Sequence, residues 1–242
     1  EYMGEVSISD AFAKSINTVA VKLSESIGRE NVIQTAKSLG VNSPLLNSPS
    51  IALGTSEVNL LELTSAYNVL ANNGNGIFVH GIRSIENTSG KLLFMREGSG
   101  PGKILDSFVV STMTKMMEQT ITNGTGRKAK IDRPAAGKTG TSQSLRDAWF
   151  IGFTSDLVVG VWFGNDNDSP MNEITGGTAP AILWSDFMQK AHSGVPVKSL
   201  QYANEKKIRK FKNNDKINKI ISKSKRLNEQ KSVFERILDN FF

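Results

Sequence analysis

Apolar positions recur at helical spacing over several separate stretches of this chain, each bounded by a residue type that starts or stops a helix. Ser7 can cap a short helix over residues 7–14, and residues 18–27 predict a second that ends at Gly28. Residues 30–39 repeat the pattern and stop at Gly40, a natural residue just past a helix end. Residues 59–71 are amphipathic and close at Asn72, Asn73 and Gly74, while residues 106–122 predict a methionine-rich helix ending in the Asn123-Gly124 turn. A last helix is expected over residues 179–191. Between these the period changes. Residues 77–94 alternate around Thr88, Ser89 and Gly90, which reads as a β-hairpin. Residues 147–153 and 157–163 are β-branched and aromatic runs separated by Thr154, Ser155 and Asp156. They predict an antiparallel pair beside an extended segment around Lys138. The map is that of an α/β domain, an antiparallel sheet flanked by helices.

That extended segment carries the most chemistry. Residues 133–141 read R-P-A-A-G-K-T-G-T. The two β-branched threonines favour a strand, with Lys138 and Gly140 on one face and Thr139 and Thr141 on the other. Gly140 removes a side chain where something approaches the backbone closely. An exposed edge of this kind can pair with an extended peptide, its ammonium and hydroxyls gripping a carboxylate. Gly137-Lys138-Thr139 also matches the end of a phosphate-binding loop, but the position of that loop's first glycine is Asp132, and strands follow rather than a helix. The other glycine clusters, residues 98–102 and 123–126, read as turns.

Five collinear segments give the chain a likeness. They are residues 11–20 (A-F-A-K-S-I-N-T-V-A), 52–58 (A-L-G-T-S-E-V), 133–141, 146–152 (R-D-A-W-F-I-G) and 160–165 (G-V-W-F-G-N). Over roughly residues 1–192 the sequence resembles the C-terminal part of the transpeptidase domain of class A, bifunctional penicillin-binding proteins, whose signature joins S-x-x-K, S-x-N and K-T-G. The resemblance implies a β-lactamase/transpeptidase-like fold, incomplete at its N-terminus. It also implies serine acyl transfer on the D-alanyl-D-alanine ends of peptidoglycan stem peptides, and β-lactam antibiotics as ligands. Carried over by motif, Ser15 is a proton relay, and Asn17 bonds the catalytic lysine and the substrate peptide. Lys138 raises the local potential and orients the relay, Thr139 and Thr141 hold the substrate carboxylate, and Gly140 lies between them. The main-chain N–H of Thr141 is one oxyanion donor. The attacking serine and its lysine are not found, because the one S-x-x-K is Ser222-Lys223-Ser224-Lys225, after K-T-G-T and inside a basic stretch.

Plainer roles stand beside these. Ser15 and Asn17 are residue types that cap helix N-termini. Trp149 and Trp162 read as sheet core, Arg146 and Asp147 as a salt-bridged pair, and Met113, Met116 and Met117 as core filler. His80 and His192 lack ligand-spaced partners, so neither a metal nor any other cofactor is expected.

Charge divides the chain. Residues 198–242 hold 13 Lys and Arg against 5 Asp and Glu, while residues 1–197 hold 16 against 18. The expected division is therefore a transpeptidase part over residues 1–197 and a basic, partly disordered tail over 198–242. Residues 232–242 can still dock there as a short amphipathic helix. No nucleic-acid motif accompanies the tail, so nucleic acid is not expected as a partner. There is no cysteine, no signal peptide and no apolar run near 18 residues. The chain begins at Glu1, which suggests trimming from something longer, or a split or decayed gene starting near Met3. By resemblance the parent protein sits at the periplasmic face of a bacterial inner membrane, held by an N-terminal transmembrane helix and preceded by a glycosyltransferase domain. The missing N-terminal part of the same protein is then the first partner. The alternatives are a non-catalytic scaffold module of the same fold and a serine β-lactamase or β-lactam sensor.

Overall fold

Helix caps and strand chemistry place the elements close to where the sequence puts them. The computed structural model describes residues 4–98 and 100–202. Helix α1 is Ile8–Ala13, α2 Asn17–Ile27, α3 Arg29–Ser38 and α4 Leu60–Ala71. The Ser7 hydroxyl accepts from the Asp10 N–H to open α1. Asn59 and Glu62 form a reciprocal capping box at α4, satisfying two orphan N–H groups at once. Strands β1 (Asn75–Gly76), β2 (Ser84–Glu86), β3 (Leu92–Met95) and β4 (Gly102–Lys103) precede α5, Ser107–Thr122, which is capped by the Asp106 carboxylate. Strands β5 (Ala136–Thr141), β6 (Asp147–Phe153) and β7 (Val158–Gly164) lead to α6, Ala179–Ala191. Short 3-10 turns at Pro49–Leu53, Arg127–Ala129 and Gln143–Leu145 complete the set.

The central sheet runs β5-β6-β7, antiparallel throughout. Its faces are built by alternation along β6. Phe150 meets Trp184 of α6 edge-on at 5.2 Å, and a Cβ on Gly152 would lie 2.9 Å from the same indole. Met188, Ala181, Ile121 and Ile131 complete that layer. On the opposite face Phe153 packs with Met117, Ala136 and Leu200, bordered by Phe12, Tyr67 and Leu70. Ala148, Phe150, Ile151, Gly152 and Phe153 are all buried, so β6 is covered on both sides and reads as an unbroken apolar run. Helix α5 lies along β5, α1 packs on α5, and α4 crosses β6 and β7.

Several expectations change. The predicted hairpin at 77–94 shrinks to β2 and β3, every residue of which is exposed. Trp149 and Trp162 are not core: they pair across β6 and β7 at 6.3 Å, Trp162 is 41% exposed, and its indole N–H donates to Asp147 Oδ1. The buried tryptophan is Trp184. Arg146 pairs with Asp168 rather than with Asp147, because the bend at 142–146 turns it outward. Met117 is fully buried, as expected of a filler. No helix of the described residues is long and apolar enough to cross a membrane. The bulk of the expected tail, residues 203–242, including Ser222, Lys225 and the 232–242 segment, lies outside the described residues.

Candidate functional site

The open edge of β5 meets the junction between α1 and α2. Helix α1 ends with Ile16 N–H bonded to the Ala11 carbonyl and Ser15 N–H bonded to the Phe12 carbonyl. This closure needs a left-handed residue at the first position past the cap, and Ser15 takes it with φ 55°. Ser15 therefore closes α1 through its backbone, and it is not an N-cap. Asn17 is no N-cap either: Ile16 holds that position and Asn17 is the first helical residue of α2. With its backbone so used, the Ser15 hydroxyl is exposed, and Lys138 Nζ donates to it at 2.9 Å. Asn17 is exposed one turn-step away, and its side chain makes no hydrogen bond among the described residues.

Lys138 leaves β5 on the face shared with α1. Its ammonium also donates to the Thr139 carbonyl at 3.1 Å and sits 5.7 Å over the Phe12 ring. Burial pushes its pKa down from 10.5 to about 8, because an ammonium loses hydration there.

The register determines what the edge offers. Ser142 N–H bonds the Asp147 carbonyl, and Thr141 lies opposite Ala148. Antiparallel pairs alternate between bonded and non-bonded. Gly140 opposite Trp149 and Lys138 opposite Ile151 are then bonded pairs, so Thr139 and Thr141 aim their N–H and C=O groups off the free side of the sheet. The lysine bond to the Thr139 carbonyl agrees. Thr141 Oγ1 accepts from Gly176 N–H at 3.0 Å, which leaves its own proton to donate elsewhere. Thr139 Oγ1 lies 2.6 Å from Thr125 Oγ1. The close approach expected at Gly140 exists and is made by the protein itself: a Cβ on Gly176 would run into the carbonyl oxygens of Gly140 and Trp149.

The structure thus brings Ser15, Lys138 and the Thr139–Thr141 edge together, with Asn17 beside them. The edge can present a cation, hydroxyl protons and outward main-chain N–H groups to an anionic, extended ligand. Gly137, Lys138 and Thr139 lie inside a strand, which a phosphate loop requires them not to do. Among the described residues no cluster of His, Cys, Asp and Glu has metal-holding geometry. Sequence reasoning missed Thr125, Gly176 and Gly177. Their one signal was glycine flanking threonine, in N-G-T-G and T-G-G-T.

A family model described as the penicillin binding protein transpeptidase domain matches residues 1–189. The chain is 37% identical over 190 residues to penicillin-binding protein 1A of Aquifex aeolicus, covering 77% of this chain and 26% of that protein. It is 34% identical over 200 residues to penicillin-binding protein 2D of Bacillus subtilis, covering 79% and 28%. The chain therefore spans about a quarter of the length of these relatives. Among solved structures it is similar to penicillin-binding protein 1A from Haemophilus influenzae, with TM-score 0.76 and 22% identity over 83% of this chain and 36% of that one. It is likewise similar to the PonA1 protein from Mycobacterium tuberculosis in complex with penicillin V, with TM-score 0.76 and 24% identity over 84% and 61%.

Proposed function

Because the chain belongs to the penicillin-binding protein transpeptidase family, of the class A type, we propose that it supplies the substrate-gripping half of a peptidoglycan D,D-transpeptidase site. The attacking serine and its lysine come from a part of the protein outside these 242 residues. One observation carries this reading: Lys138 Nζ stands 2.9 Å from Ser15 Oγ at the open edge of β5.

The stem peptide lies along β5, its terminal carboxylate taken by the Lys138 ammonium and by protons from Thr139 and Thr141. The absent serine attacks the carbonyl carbon of the penultimate D-alanine. Its proton passes through the Ser15 hydroxyl, the C–N bond breaks, and D-alanine leaves carrying that proton. An amine from a neighbouring stem then attacks the acyl carbon, the C–O bond to the serine breaks, and the amine's proton returns to the serine oxygen. Thr141 N–H stabilises the oxyanion in both steps, a contribution of about 100- to 1,000-fold in rate for such a donor. Asn17 orients the substrate peptide group. Lys138 serves mainly as a cation, since with a pKa of about 8 only about a tenth of it is neutral at pH 7. A β-lactam places its own carboxylate in the same position. A membrane anchor, a glycosyltransferase domain and a periplasmic setting belong to the longer protein under this reading.

Fluorescent penicillin tests it. The 242-residue chain alone should take no covalent label, whereas a longer form that includes its S-x-x-K should be labelled, and Lys138→Ala should abolish most of that labelling. Stable acylation of the short chain, or none of the longer form, overturns the assignment.

A further inference from the structure

Thr125 stands between two glycines in the turn after α5, where no local conformation demands a threonine. Its N–H donates to the Ala13 carbonyl at 3.0 Å, tying the turn to the end of the helix that presents Ser15. A Cβ on Gly124 would run into that same carbonyl, and one on Gly126 would lie 3.0 Å from the Phe150 ring. From the other side, a Cβ on Gly177 would run into the Thr125 carbonyl. The threonine is therefore held between α1, β6 and the loop entering α6, and its hydroxyl is delivered to Thr139 Oγ1 at 2.6 Å.

A pair of hydroxyls has two protons and uses one between them. The direction depends on what else is present. Thr125 has a competing acceptor in the Ala13 carbonyl at 3.4 Å, near the limit for such a bond. A carboxylate is an acceptor only, so its arrival favours Thr139 donating outward and Thr125 donating to Thr139. The two bonds then polarise one another. We propose that Thr125 is a positioning residue for the ligand carboxylate, acting through Thr139 by keeping that hydroxyl's proton aimed off the edge of β5. The proposal rests on the reading of this edge as a carboxylate site.

The test uses the longer, nucleophile-bearing protein and two ligands, benzylpenicillin and its methyl ester. Thr125→Val should slow acylation by the free acid by about tenfold, the upper size of one lost hydrogen bond between neutral groups. The ester, which lacks the anion, should react with variant and parent alike, and Thr125→Ser should restore the acid's rate. An equal loss for acid and ester, or a loss that tracks a fall in melting temperature, makes Thr125 merely structural. No loss in Thr125→Val also overturns the proposal. If the parent itself is not acylated, the transpeptidase reading fails first and takes this inference with it.

Discussion

Replacing Lys138 with methionine separates what this residue does for folding from what it does for chemistry. The side chain keeps its reach and loses its charge. In the folded protein burial holds the lysine pKa at about 8 against 10.5 when hydrated. That difference corresponds to about 3 kcal/mol against the charged form. The lysine is only partly covered and keeps two hydrogen-bond acceptors, so solvent screening brings the expected effect to about 1–2 kcal/mol. The sign follows from proton counting. Below pH 8 both states are protonated and the penalty is fully present. Between pH 8 and 10.5 the unfolded chain binds a proton that the folded one does not, so wild-type stability rises with pH in that window. Lys138→Met lacks this rise. It should be as stable as wild type at pH 7, or more stable by about 1–2 kcal/mol. Urea unfolding at pH 7, 8, 9 and 10 reads both curves. Parallel profiles, or a variant destabilised by more than about 2 kcal/mol at pH 7, would refute the reasoning.

Other outcomes follow from packing and linkage. Among the described residues Lys138 has no acidic partner, so a carboxylate ligand should bind with uptake of a proton and weaken as pH climbs through 8, measurable by calorimetry in buffers of different ionisation enthalpy. Gly176→Ala drives a methyl into the Gly140 and Trp149 carbonyls and should destabilise the protein by about 1–3 kcal/mol, with faster hydrogen exchange at Gly140. An unchanged exchange rate would mean the loop does not press on β5. Trp184→Ala empties the layer under Phe150 and should cost about 3–5 kcal/mol in urea unfolding, far more than Trp162→Ala on the exposed pair.

What the sequence disclosed was whatever depends on near neighbours. Ser7, Asn59 and Asp106 announce their helices because a cap acts within three residues, and β6 announces itself because both its faces are apolar. Lys138 and Thr139 were legible as a strand with useful chemistry. The partners of Thr139 and Thr141 were not. The Thr125 hydroxyl is 14 residues from Thr139, and Gly176 is 35 from Thr141, so a turn signal conceals both contacts. The same limit hid β1 and β4, whose pairing joins Asn75 to Lys103. Trp149 and Trp162 were misplaced because aromatic character in a strand does not reveal which face lies inward. Only the capping alternative for Ser15 failed, because serine more often opens a helix than closes one.

The end of α3 repeats the closure at the end of α1, bond for bond, with Gly40 where α1 has Ser15. A non-glycine residue in that left-handed position costs about 1–2 kcal/mol. Ser15→Gly should therefore relieve that strain while shedding the hydroxyl that Lys138 meets. The two helix ends thus differ in one respect: the end of α1 offers Lys138 a hydroxyl, and the end of α3 has no side chain to offer.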